Sequence, residues 1–423
     1  MLKDKIFLLI HKLQKYFKID LFYLIRGEFW LMLGKTISII TSFLLAMAWA
    51  NWVDKSVYGN YQYIFSLIGI ISIFSLPAMG TAIVQAVARG FEGSFISGFK
   101  AKLKWGILSG LAALSISGYY WIQGNINLPL SFLIIAILLP LFNASIIYAS
   151  FLIGKKLFNI QVKYDAATQI IATFAMILTL FGIKQFLFDI PTYIILLLII
   201  SVYLLSRTIL RFFFLIKTKI KFIPNTKEDP KTITYGKHLT LAGAIDIITN
   251  NLDKILLFHY LGAIELAIYS FAILVPKQIN VFLKHIGALA LPKFSVRSKK
   301  EIKKTIIKKM TYLSVLVSIL VLVYIIAAPY IYQIFFPEYL TSVSFSRIYA
   351  ISIIPLSFAL IGEVFRAKMM TKQIYQIRIV VSFIRAILFI TLIPLYGIWG
   401  AVFGLLGTRI FYVFFALFIF RKV

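Results

Sequence analysis

The chain has 423 residues, of which 61% are hydrophobic and 14% charged, with a mean hydropathy of +0.92; no soluble globular class has that composition. It carries a formal charge of +29 and no cysteine, which excludes disulfides, thiolate-held zinc, iron–sulfur clusters and thiol nucleophiles. A charge of that size also suits nucleic-acid binding, but no such motif is present, and the basic residues of a membrane protein collect in its cytoplasmic loops.

Residues 1–28, "MLKDKIFLLIHKLQKYFKIDLFYLIRGE", are basic and apolar, with Lys and His interrupting every apolar run and no small-residue cleavage site following. They predict a retained amphipathic helix on the membrane surface. Twelve spans follow, at 29–50, 61–88, 105–122, 130–153, 166–182, 191–216, 238–261, 266–292, 311–336, 342–365, 379–395 and 398–420. Each is near the roughly 20 residues that cross a hydrocarbon core. With a cytoplasmic amino terminus, 33 of the 44 Lys and Arg fall in cytoplasmic segments, and only Lys55 and Lys184 in outer loops. The positive-inside rule therefore places both termini in the cytoplasm. The basic run "KFSVRSKKEIKKTIIKK" from Lys293 reads as part of that topology signal. Outer loops such as "QGNINLP" (123–129) and "PEYLT" (337–341) leave no room for a catalytic domain. The glycine-rich "GILSGLAALSISG" (106–118) marks close helix packing.

An internal repeat organises the spans. "DKSVYGNYQYIFSLIGII" from Asp54 lies over "GAIELAIYSFAILVPKQI" from Gly262 at an offset of 208 residues, with Tyr61 on Tyr269. This predicts an N-terminal six-helix bundle over 29–216, a cytoplasmic linker over 217–237 and a C-terminal six-helix bundle over 238–423. Halves with an even number of spans insert in the same orientation, and the substrate path of such transporters runs between them.

Nine basic residues stay inside the spans: Lys35, Arg207, Arg211, Lys254, Lys277, Lys284, Arg347, Arg385 and Arg409. The acids there are Asp246, Asp253 and Glu363. Each charge costs roughly 3 kcal/mol near the bilayer centre, so these groups are expected to face protein or water. The excess of bases predicts a positive cavity that attracts anions. Arg207 and Arg211, near the cytoplasmic end of the sixth span, are expected to snorkel. Lys254, Lys277 and Arg409 lie about 24, 16 and 16 Å inside their helices at 1.5 Å per residue. Asp246, Asn250, Asp253 and Lys254 share one helix face, as do Lys277, Asn280 and Lys284 on the next helix and Lys35, Ser38 and Ser42 on the first. The offset carries Ser38 onto Asp246 and Ser42 onto Asn250. Two roles stay open for the acids: pairing with a neighbouring cation to lock helix packing, or coupling to H+ or Na+ together with Glu363. Pro77, Pro140, Pro276 and Pro355 are expected to bend their helices.

The stretch 27–90 resembles the opening of the Wzx-like flippases for lipid-linked oligosaccharides, in its Gly-aromatic start at Gly27 and Phe29, its turn "VYGNY" (57–61) and "LPAMGTAIVQAVAR" (76–89). In the second half "LGAIELAIYSFA" (261–272) and "LPKFS" (291–295) are similar to the matching turn and helix end. The resemblance implies the multidrug/oligosaccharidyl-lipid/polysaccharide exporter fold, an all-α membrane protein of two six-helix bundles in a V around a central cationic lumen. It also implies a multi-pass protein of the bacterial inner membrane. The implied activity is translocation of undecaprenyl-diphosphate-linked O-antigen, capsule or exopolysaccharide units to the outer leaflet, beside a polysaccharide polymerase partner and without a bound cofactor. Lys35, Lys254, Lys277, Lys284, Arg347, Arg385 and Arg409 would meet the anionic head group. Two other readings compete: a multidrug/cation antiporter of the same superfamily, which calls for an acidic cavity, and a membrane-embedded glycan polymerase, which calls for a long outer loop.

Overall fold

The computed structural model describes residues 21–186, 190–223, 225–280, 283, 294 and 299–422. Residues 1–20 of the expected surface helix, together with Lys284 and most of the 281–298 stretch, lie outside the described residues. Among those described, the chain is helical with no strand. In chain order the helices are α1 (Leu21–Trp52), α2 (Lys55–Ile71), α3 (Met79–Ala88), α4 (Ser94–Ile122), α5 (Pro129–Ser145), α6 (Ile147–Gly154), α7 (Phe158–Phe186) and α8 (Thr192–Phe222). The second half continues with α9 (Thr232–Leu261), α10 (Ala263–Leu274), α11 (Lys299–Phe335), α12 (Ser342–Ile351), α13 (Leu360–Ala367) and α14 (Thr371–Lys422). α14 is two spans, separated at Gly397 (φ 56°). Each expected span falls on a helix or on a broken pair of helices, except that 266–292 is described only as far as 280 and at 283. α2 and α10 begin 208 residues apart, at the offset read from the repeat.

Two boundaries differ from expectation. α1 runs unbroken from Leu21, so residues 21–28 continue the first span rather than lying apart from it. α4 begins at Ser94, not near 105, adding about three turns that carry Lys100, Lys102 and Lys104.

The second span breaks into α2, a 3-10 turn over Ser72–Ser75, and α3. Pro77 supplies no amide hydrogen, and Leu76 is forced to φ 52°. The broken turn is tied to the neighbouring helices: the Asn143 amide donates to Ser72 Oγ (3.1 Å) and Ser75 Oγ (3.2 Å), and Ser75 Oγ donates to Ser109 Oγ at 3.0 Å. Irregular backbone at membrane depth persists only where protein satisfies it in this way. α4 packs closely on α5 through its small residues. A Cβ on Gly110 would stand 2.6 Å from the Ala136 carbonyl oxygen, so only glycine permits that approach.

The core has a division that bears on function. One cluster draws on both halves, joining Trp49, Tyr58 and Ile64 to Tyr269, Phe271, Tyr332, Phe336 and Tyr339. Two further clusters draw their buried members from one half each: Met79, Phe95, Tyr148, Phe151 and Phe214 in the first, against which Ile233 of α9 also packs, and Ile306, Ile361, Phe365, Ile377 and Phe420 in the second. The shared core lies at one end of the bundle, called here the far end. The separate cores lie at the opposite, basic end, where α8 finishes in Lys217, Lys219 and Lys221.

At the basic end the segment 225–231 crosses between halves as a strap fastened to the first. Gly93 N–H donates to the Lys227 carbonyl (2.9 Å), Asp229 N–H to Ser94 Oγ (2.9 Å), and Arg89 pairs with Asp229 at 2.5 Å. Beside it Lys155 pairs with the buried Glu92. The Lys231 backbone N–H, and after it Arg89, hold the Asp229 carboxyl below the usual carboxylate range. A depressed carboxyl contributes stability above its unfolded pKa, about 4, and loses it as pH falls through the lower folded value. Thermal unfolding at pH 7 and pH 3 should therefore show a drop at the acid end that Asp229→Asn flattens. An unchanged drop in that variant would show the strap to be held by its other bonds.

Candidate functional site

Where the halves meet, α2 lies against α9 and α10. Tyr63 stacks on Phe258 at 3.8 Å, and Tyr58 packs on Phe271 at 4.9 Å. Lys254 points into this seam. Its ammonium donates to Gln62 Oε1 of the first half at 2.8 Å, and Gln62 Nε2 donates to the Tyr58 hydroxyl oxygen at 2.8 Å. Lys277, on the segment that follows α10, is exposed. Lys254 is thus the expected cation that reaches across the boundary between halves.

At the far end the boundary is shut. Asn51 Nδ2 donates to the Phe335 carbonyl (3.1 Å), Lys55 lies 3.6 Å from Glu338, and Phe43 packs on Phe335 and Phe336. Phe271 and Tyr339 stack at 3.8 Å over the same closure. Lys55, one of the two basic residues expected in an outer loop, is part of it.

Among the described residues, the expected arginines of the second half turn into that half. The Arg409 guanidinium donates to Ser352 Oγ (2.5 Å) and to the Tyr349 hydroxyl (3.0 Å). Arg347 Nε donates to the Ile325 carbonyl at 3.1 Å. Arg385 donates to Asn250 Oδ1. The acids are engaged there as well. Asp246 accepts from Ser382 at 2.7 Å and pairs with Arg378 at 2.8 Å, while Asp253 accepts from the Tyr269 hydroxyl at 2.5 Å. Glu363 pairs with Arg366 one turn on, at 2.9 Å. Asp246, Asn250, Arg378, Ser382 and Arg385 line a cavity of about 290 Å³ inside the second half. Arg378 escaped the sequence reading because α14 starts at Thr371, eight residues before the expected span.

The first half holds a corresponding cavity of about 340 Å³, lined by Lys35 and Ser38 of α1, Tyr148 of α6, Gln161 and Asp165 of α7, and Arg207 and Arg211 of α8. Arg207 does not snorkel: it is 5% exposed, with its guanidinium over the Tyr203 ring at 3.9 Å. Arg211 lies over Phe142 at 4.5 Å. Asp165 accepts from the Tyr148 hydroxyl at 2.7 Å and from Gln161. Buried Lys102 on α4 is near enough to feel the charge of Arg211. Asp165 and Lys102 went unread because each sits in a turn of helix beyond its expected span, and a polar residue beside a span edge looks like loop.

Residues 24–297 match the family model for polysaccharide biosynthesis proteins. No curated protein matches in sequence. Among solved structures, the fold is similar to the inward-facing conformation of a multidrug resistance MATE family transporter of the MOP superfamily (TM-score 0.68, 12% identity, 92% of this chain and 98% of that one). It is similar to the lipid II flippase MurJ in an inward closed conformation (TM-score 0.63, 16% identity, 92% and 87%). An outward-facing MATE transporter of the same superfamily is also similar (TM-score 0.64, 10% identity, 95% of each chain). At these identities the likeness establishes a shared fold, the all-helical two-bundle architecture, and nothing about ligands.

Proposed function

Since the chain belongs to the polysaccharide biosynthesis protein family, whose model spans residues 24–297, we propose that it is a flippase that carries undecaprenyl-diphosphate-linked oligosaccharide units across the bacterial inner membrane by alternating access. The basic end is cytoplasmic by the positive-inside rule, with both termini there. The bundles 29–216 and 238–423 would rock against each other about the shared far-end core, joined by the 217–237 linker and preceded by the 1–28 segment. The observation that carries the reading is the Lys254 ammonium, which reaches across the boundary between halves to Gln62 at 2.8 Å, beneath a closed far end. A diphosphate entering there meets charge-assisted hydrogen bonds in place of its water, while its lipid tail stays in the bilayer.

The remaining cations contribute differently. Lys35 opens on the first-half cavity, Lys284 belongs to the same sequence stripe as Lys277, and Arg347, Arg385 and Arg409 shape the second half from within. Coupling to H+ or Na+ would fall to Asp246, Asp253 and Glu363, all three of which are already hydrogen-bonded or paired. A multidrug/cation antiporter would need those carboxylates free for a cationic drug, so their engagement supports the anionic substrate instead. The carried unit would be O-antigen, capsule or exopolysaccharide repeat, handed on to a polymerase partner.

The test is a deletion strain. Lipid-linked repeat units should accumulate in the cytoplasmic leaflet with loss of surface glycan, and the intact gene should restore both. Normal surface glycan without accumulation would sink the proposal.

A further inference from the structure

The two internal cavities occupy equivalent positions in the repeat, but their charges are balanced differently. The first-half cavity lies among α1, α6, α7 and α8, and the second-half cavity among α9, α13 and α14. Ser38 lines the first and Asp246, its counterpart at the 208-residue offset, lines the second. In the second half the Asp246 carboxylate meets the Arg378 guanidinium at 2.8 Å, so that cavity supplies its own anion. In the first half the equivalent residue is serine. The lone acid, Asp165, accepts from Tyr148 and Gln161 and is near enough to Arg211 for their charges to act on each other, but neither Arg207 nor Arg211 forms an ion pair among the described residues.

What is left over describes a ligand. Arg207 Nη1 is a buried donor with no partner, and Gln161 Oε1 is a buried acceptor with no partner. Leaving a buried donor or acceptor unpaired is costly, more so when it is charged, so a molecule that satisfies both is favoured. That molecule needs an acidic group for the guanidinium and a hydroxyl for the amide oxygen. A cavity near 340 Å³ is at the small end of ligand sites, and the ring of Tyr148 gives an apolar wall beside the polar groups.

We propose that the first-half cavity binds an acidic sugar residue, its carboxylate on Arg207 and Arg211 and a hydroxyl donating to Gln161 Oε1. The proposal rests on the transport reading only for the origin of that sugar in the carried glycan.

The test uses the full-length protein in detergent, titrated with sodium D-glucuronate, D-glucose or inorganic phosphate and followed by thermal shift. Glucuronate should reach half-effect at a concentration at least tenfold below glucose and below phosphate. Arg207→Gln should remove that preference. Ser38→Asp, which places on α1 the acid that the second half already has, should remove it as well without lowering the unfolding temperature of the free protein. Equal binding of glucuronate and glucose, or of glucuronate and phosphate, overturns the acidic-sugar assignment, and unaltered glucuronate binding in both variants overturns the site. In cells, Ser38→Asp should cut export of repeat units containing a uronic acid at least tenfold. Lost glucuronate binding with undiminished export of acidic repeats would overturn the carried glycan as the source.

Discussion

Gly59→Ala should abolish most glycan export while leaving the protein in the membrane at its normal level. Gly59 lies on α2 where the first half meets the start of α10, and a Cβ there would stand 1.8 Å from the Ala263 carbonyl oxygen and 2.4 Å from its carbon. Both obstacles are backbone, so no rotamer change relieves the overlap and the two helices must separate. Overpacking of this kind costs about 1–3 kcal/mol. Because the far-end closure and the opposite conformation are alternative states of one molecule, that cost falls on the closed state and shifts the population about 5- to 150-fold toward the open one. A carrier held in one state cannot complete a cycle. The absence of cysteine makes the shift directly measurable: in a background carrying Lys55→Cys and Glu338→Cys, where the native side chains lie 3.6 Å apart, a bifunctional thiol reagent should cross-link the parent efficiently and the Gly59→Ala variant poorly. Gly118→Ala, whose Cβ meets nothing within 4 Å, is the matched control. Equal cross-linking in parent and variant would show that the far end tolerates the added carbon and is not the closure assigned here.

The order and number of spans were legible because long apolar runs and the loop-by-loop alternation of Lys and Arg are independent signals that agree. The repeat was legible from a short turn, and the common start of α2 and α10 follows it. The facing of individual charges was not legible. Asp246, Asn250, Asp253 and Lys254 share a helix face in sequence, yet that face looks toward two places: Lys254 reaches Gln62 across the boundary, while Asp246 and Asp253 turn to Ser382, Arg378 and Tyr269 inside the second half. A face about 100° wide is broad enough to meet two neighbours, and only the packing of α14 and α10 decides which residue meets which. Arg207 and Arg211 were misread for a related reason. Position near a helix end permits snorkelling, but their guanidinium groups found aromatic faces within the bundle, at Tyr203 and Phe142, which hold cations as well in a desolvated site. Pro77 announced a bend, whereas the polar partners that make a full break tolerable, Asn143 and Ser109, come from helices distant in sequence.

Lys254→Met should reduce export by about 10- to 100-fold with little loss of thermal stability, and Arg409→Met should do the reverse. Depth in the helix treats the two cations alike, but their partners differ. The Lys254 ammonium spans the boundary between halves to a single neutral acceptor, Gln62 Oε1, and its bond must break whenever the halves separate along that line. An anion arriving at the seam competes with a neutral amide for it and wins, since it adds the attraction of its full charge to the charge-assisted hydrogen bond that either acceptor makes with the ammonium. A hydrogen bond to a charged group contributes roughly 1.5–3 kcal/mol, which sets the expected loss in transport. Arg409 is held instead by Ser352 and Tyr349 of its own half and lies over the Tyr349 ring at 4.8 Å, so removing it leaves two buried hydroxyls without their donor and lowers the unfolding temperature. Lys254→Arg keeps the charge and should recover part of the export, whereas Gln62→Leu, which frees Lys254 without removing it, should leave head-group binding intact. Export assayed by surface glycan, paired with unfolding of the purified variants, separates the two roles. Normal export in a well-expressed Lys254→Met strain would remove Lys254 from the substrate path and leave the seam as packing alone.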